Sequence, residues 1–228
     1  MRYQIILSLF TFVLIALPLQ GCSKPEAGRS GAEQGEQQSY ADAQSAANAS
    51  LATFRKLVTS DNYKEMGFES PGEVVNATLG DPMRVYLVKL DQLKEYKQGG
   101  DPNALLTDLN RIVYPVVVRE QVRSSITVEA IDGKWKTTTF GQGATTKQIA
   151  EAKKAVAANS QSRGAEPFIV HVAALNLYFV GHRADNKLML TPIVSVDNYK
   201  LRAGVTMPAE EVFSNLAPFA RSYNGQPL

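Results

Sequence analysis

Two runs rich in β-branched and aromatic residues, Val122 to Ile131 and Lys134 to Phe140, are separated by the dipeptide Asp132-Gly133. That dipeptide is a strong signal for a two-residue hairpin, because the turn needs positive φ at both central positions. Pairing Ile131 with Lys134 places Ala130 opposite Trp135, Glu129 opposite Lys136 and Val128 opposite Thr137. One face is then apolar and the other carries a charge pair. A third run, Ile112 to Val118, extends the hairpin to a meander. Pro115 cannot donate a ladder hydrogen bond, so this strand is predicted to lie at an edge or to carry a bulge.

Around the meander the periodicity changes. Ala47, Leu51, Phe54 and Val58 recur at the spacing of one helix face. Ser70-Pro71-Gly72-Glu73 has the form of a capping box with proline in the first helical position, predicting a short helix over 71–79 that stops at Gly80-Asp81-Pro82. A strand-like run spans Val85 to Leu90, and Asp91 and Asp101-Pro102 open polar helices or turns. Thr145 to Gln148 is a second capping box before Ile149, Ala152 and Val156. Phe168 to Val180 is long, apolar and strand-like; Arg183 to Asn186 turns; Lys187 to Val196 returns, with Pro192 as an irregularity. A last helix, about Pro208 to Tyr223, aligns Val212, Leu216, Phe219 and Tyr223, carries Pro218 within it, and ends at Asn224-Gly225. Strands joined by turns with a few helices interspersed predict an α+β domain in which helices pack an antiparallel sheet of meander and C-terminal hairpin. A doubly wound α/β fold would need a regular strand-helix alternation, which the middle third lacks.

The N-terminus has a different character. Arg2 is the only charge before Lys24, and Ile5 to Leu19 is an almost wholly apolar run of 15 residues. A bilayer-spanning helix needs about 20, so this run has the length of a secretory h-region. It is followed by Leu19-Gln20-Gly21-Cys22, and Cys22 is the only cysteine. The segment resembles the lipobox of bacterial lipoproteins. The resemblance covers residues 1 to about 24, with Gln20 in place of the usual small residue. It implies diacylglycerol on the Cys22 sulfur, cleavage just before it, and acylation (palmitate or a similar chain) of the new amino group. Ser23, rather than Asp, implies sorting to the periplasmic side of the outer membrane in a Gram-negative cell. Two or three acyl chains make such an anchor stable where one is marginal.

Residues 23–40 hold almost no apolar side chains and are expected to form a flexible tether, reaching roughly 20 to 25 Å as a coil. The expected organisation is therefore a leader over 1–21, a lipidated Cys22 with its tether over 22–40, and one α+β domain over 41–228. Removing residues 1–21 takes away Arg2 alone, so 24 cations become 23 against 22 acids, a net of +1. Such a balance recruits neither nucleic acid nor anionic lipid by its field.

Chemistry-bearing residues are sparse. With two histidines, His171 and His182, and a lipid-committed cysteine, the chain is poorly furnished for a metal site, and no cofactor is implied. On one straight strand the two histidines would face opposite sides about 36 Å apart. There is no G-x-S-x-G elbow. Glu210-Glu211 is a local carboxylate pair, accounted for by the dipole at the start of a helix. Gly141-Gln142-Gly143 stands where a phosphate-binding turn would, but Thr146 replaces the third glycine of the dinucleotide fingerprint and the glycine a P-loop needs before Lys147. The aromatics, Trp135, Tyr178, Phe179, Tyr199, Phe213, Phe219 and Tyr223, lie mostly at core spacing, with the Trp135 and Tyr178 faces as the places where a partner groove could open. The reading favoured is a non-catalytic, lipid-anchored envelope protein that binds or supports another envelope protein or the cell wall. The alternatives are a periplasmic hydrolase using His171 or His182 as base, and a carrier of an apolar ligand, which requires a sizeable apolar cavity.

Overall fold

The computed structural model describes residues 31–158 and 164–223. Cys22, the leader, tether residues 23–30 and Asn224-Gly225 lie outside these residues. The described chain is an α+β fold. Helix α1 spans Gly31–Leu57, strand β1 Thr78–Leu79, β2 Met83–Val88, α2 Leu90–Glu95 and β3 Leu106–Val118. Strand β4 spans Gln121–Ile131, β5 Lys134–Gly141, α3 Gly143–Ala158, β6 Phe168–Val172 and β7 Leu177–Ala184. Strand β8 covers Lys187–Pro192, β9 Met207–Pro208 and α4 Ala209–Ser222.

One nine-stranded sheet runs in the order β5-β4-β3-β2-β6-β7-β8-β9, with β1 added onto β3. Every pairing is antiparallel except β2 with β6, where Val85 lies opposite Ile169. The hairpin register is the expected one: Ala130 faces Trp135, Glu129 faces Lys136 and Val128 faces Thr137. Its turn, and those at Arg119-Glu120 and Asp185-Asn186, hold both central residues at positive φ, as the right-handed twist of the flanking strands favours. Strand β3 is interior rather than at an edge. Pro115 is tolerated because its outer neighbour is interrupted there: β1 ends with Leu79 opposite Val116, and β2 begins with Met83 opposite Val113. The β3–β4 register also shifts between Val116 and Val117.

The sheet separates two helical layers. Alternate residues of one strand point to opposite faces, and Val170 and Val172 pack with Val212, Phe213 and Leu216 of α4, whereas Ile169 packs with Ile149, Ala152 and Val156 of α3. Helix α1 lies on the α4 side, because Phe54, Ala43 and Ala47 meet Ile112, Tyr114 and Val128 there. Each fully buried Leu, Val or Phe in these layers contributes about 1.5 to 3 kcal/mol.

Of the boundaries that differ from the sequence expectation, three change the architecture. Residues 31–40 belong to α1, not to a tether. Their Gln, Glu and Ala are good helix formers, Gln38 Nε2 donates to Asp42 Oδ1 at 2.9 Å, and the Arg84 guanidinium lies 4.9 Å from the Tyr40 ring centre. The segment after Ser70 forms a single 3-10 turn, Pro71–Asn76, before β1. The long apolar run from Phe168 is two strands, broken by a 3-10 turn at Ala173–Leu175 and by Asn176 in the left-handed region at φ 51°.

That break overturns the expected placement of the histidines. His171 is directly opposite Tyr178 across β6 and β7, and opposed residues share a face. Tyr178, Val180 and His182 alternate along β7 and share that face too. Both imidazoles therefore point to the α3 side, roughly 13 Å apart along the strand.

Candidate functional site

The site is built on the sheet face that α3 only partly covers. Thr139 on β5 stands opposite Thr127 on β4, Thr127 opposite Val113 on β3, and Arg111 opposite Glu129. Farther across, Val85 on β2 faces Ile169 on β6. The first turns of α3 roof this row. Together they enclose a cleft of about 100 Å³ lined by Arg111, Thr127, Thr139, Gln142, Thr145 and Thr146, with Tyr178 and His171 at one end, Val85, Val113 and Ile169 as an apolar floor and Ile149 of α3 above them.

The His171 and Tyr178 rings are stacked, 4.0 Å between centroids with 7° between planes. Burial, helped by the Arg111 charge, holds the His171 pKa below its ordinary value. Burial likewise raises the Tyr178 phenol, against the opposing pull of Arg111. Both rings are therefore neutral at ordinary pH. Arg111 is spent on Glu129, with Nη2 at 3.1 Å and Nε at 3.3 Å from Oε2. Thr146 Oγ1 donates to the carbonyl of Gln142, the residue before α3, at 2.8 Å.

The cleft is thus a neutral, hydroxyl-rich recess with one compensated ion pair. It can exchange hydrogen bonds with a polar group and stack against a ring edge. A serine- or threonine-based nucleophile would need an imidazole bonded to the hydroxyl and oriented by a carboxylate. His171 makes no side-chain hydrogen bond among the described residues, and Glu129 is turned to Arg111 instead.

The other expected positions have local roles. His182 is 1% exposed, its pKa lowered by burial, and lies outside the cleft lining. Glu210 Oε1 accepts from the Gly99 amide at 3.0 Å, tying the start of α4 to the loop after α2. Trp135 is half-buried against the α1 cluster. In the Gly141-Gln142-Gly143 turn, a Cβ on Gly143 would sit 2.5 Å from the Arg123 carbonyl oxygen. From the other side, one on Gly67 would sit 1.9 Å from the same atom. The second glycine is there because two backbones converge on a third.

Sequence reasoning missed Arg111, Thr127, Thr139 and Thr145, since the cleft gathers them from β3, β4, β5 and α3. The available signal was parity in the meander: Thr127 and Glu129 share one face of β4. Reading Thr139 onto that face also required the bulge at Thr138, which sits between the partners of Val128 and Thr127.

A larger trough of about 380 Å³ lies at the β3–β4 turn, lined by Glu120, Arg123, Lys147, Glu151 and Lys154. Its charged walls do not suit an apolar cargo. Among the described residues no group of three or more His, Cys, Asp or Glu could hold a metal, and no helix is long and apolar enough to cross a membrane. No protein-family model matches the chain, and neither a curated protein nor a solved structure does.

Proposed function

We propose that the chain is a lipid-anchored envelope protein, held at the membrane through Cys22, whose domain binds another envelope component in the α3 cleft without transforming it. One observation carries this reading: a neutral, hydroxyl-lined recess of about 100 Å³ between α3 and the sheet. Sites for free small molecules run to about 300 to 1,000 Å³. A recess this small takes one side chain or one sugar substituent of a larger partner, as pockets at the centres of interfaces do.

The test places a photo-cross-linking amino acid at Thr145 on the cleft wall, with Lys187 on the remote β7–β8 hairpin as control, in intact envelopes. A discrete adduct is expected from position 145, absent from 187 and lost on adding Tyr178→Ala or Thr127→Val. Equal adducts from both positions would refute the site. Turnover of an ester or cell-wall substrate by the purified protein, abolished by His171→Gln, would replace binding with hydrolysis.

A further inference from the structure

On the opposite face of the sheet, α1 covers the β3–β5 half and α4 the β6–β8 half. Between them, over the parallel β2–β6 pair, the described residues leave a groove of about 150 Å³ lined by Tyr40, Arg84, Tyr86, Glu166, Pro167, Phe168 and Arg183.

The floor is built to hold one guanidinium. Phe168 stands directly across from Gly181, and a Cβ there would sit 2.5 Å from the Phe168 ring. The absence of a side chain lets the ring lie over β7. Tyr86 meets Phe168 edge-on at 5.0 Å, and the Arg183 guanidinium lies 5.2 Å from the Phe168 ring centre, within the range of a cation–π contact.

The donors in the groove are unequal. Arg84 is committed, with Nη1 on Asp108 Oδ2 at 2.8 Å and Nε donating to the Tyr40 hydroxyl at 3.2 Å. Since that hydroxyl accepts from Arg84, its own hydrogen is left for another acceptor. Arg183 is exposed, and among the described residues it makes no hydrogen bond or ion pair. The Tyr86 hydroxyl is equally uncommitted, and burial, with Asp108 nearby, raises its pKa and keeps the phenol protonated. A five-donor fork and two phenols thus border one recess whose single acidic lining residue, Glu166, is exposed.

We infer that this groove is a second binding site, separate from the α3 cleft, and that it takes a monoanionic carboxylate on Arg183 with its carbon frame against Phe168 and Pro167. A guanidinium fork matches a carboxylate in two parallel hydrogen bonds. Glu166 on the rim disfavours a doubly charged phosphate.

Calorimetric titration of the full chain with benzoate, its neutral isostere benzamide and phenyl phosphate tests the assignment. Benzoate is expected to bind saturably, and more tightly than either of the others. Arg183→Gln should weaken it about ten-fold or more, and Arg183→Lys less, because the charge survives without the fork. Thr127→Val, in the other cleft, should leave benzoate binding unchanged, so this site can fail or hold independently of the proposed function. Equal binding of benzoate and benzamide, tighter binding of phenyl phosphate, or unchanged affinity in Arg183→Gln would each overturn the inference.

Discussion

The glycine pair at Gly67 and Gly143 allows a test in which one atom decides two mutations. Gly67 has φ 95°, and an added Cβ would overlap the Arg123 carbonyl oxygen at 1.9 Å. Gly67→Ala therefore combines left-handed strain of about 1 to 2 kcal/mol with overpacking of about 1 to 3 kcal/mol. Gly143→Ala meets the same oxygen at 2.5 Å but gains helix propensity of about 1 kcal/mol, leaving a net loss of about 0 to 2 kcal/mol. Gly35→Ala is the control: it lies in α1 with nothing within 4 Å and should be neutral or slightly stabilising. Both harmful changes push on one carbonyl in β4, so once the first has displaced it the second should cost less. The double mutant is expected to fall short of the sum of the singles. Thermal melts, shifting about 2 to 4 °C per kcal/mol for a domain of this size, resolve all four. Additive losses, or Gly143→Ala melting above wild type, would mean that the three backbones do not converge as described.

The remaining expectations concern ion pairing, protonation and anchoring. Arg123 is 8% exposed and joins Glu73 and Glu69 at 2.8 Å each, but the Glu73 side chain is 12% exposed and that of Glu69 73%. Arg123→Ala should cost about 3 kcal/mol in a denaturant titration by stranding Glu73, whereas Glu69→Gln should cost under about 1 kcal/mol. His171 and His182 have depressed pKa values in the fold, so the unfolded chain binds protons first, and stability should fall as pH drops through their unfolded pKa, about 6.5. His171→Gln should lose less stability than wild type between pH 7.5 and 5.5, and an equal loss would contradict the burial of that ring. Cys22→Ser should move the protein from membrane pellets to the soluble fraction or stall it unprocessed. Normal cleavage with unchanged membrane association would contradict the lipid anchor.

Local chemistry made the meander readable in advance. Asp132-Gly133 specifies a register that the structure reproduces from Ile131 opposite Lys134 as far as Val128 opposite Thr137, where the bulge at Thr138 shifts it. The apolar stripe of α4 was equally plain, with Val212 and Leu216 fully buried. The histidines were misplaced for a local reason with a long-range result. The 3-10 turn Ala173–Leu175, closed by Asn176 in a left-handed conformation, follows β6 after five residues and resets the parity of everything beyond it. The run of apolar letters masked this turn, although a strand from Phe168 to Val180 would have exceeded the usual length. The α3 cleft could not be read from the chain, because its residues converge only once the sheet order is known.

The parallel β2–β6 seam has a consequence for how the molecule is made. The antiparallel pairs β3–β4, β4–β5, β6–β7 and β7–β8 close through short connections, but Val85 finds Ile169 only after the meander and α3 have been laid down between them. Closing that loop demands an entropy loss that local pairing cannot repay early. As the chain emerges in an extended state, each half can curl up by its own hairpins, and the join between them is the event that commits the whole.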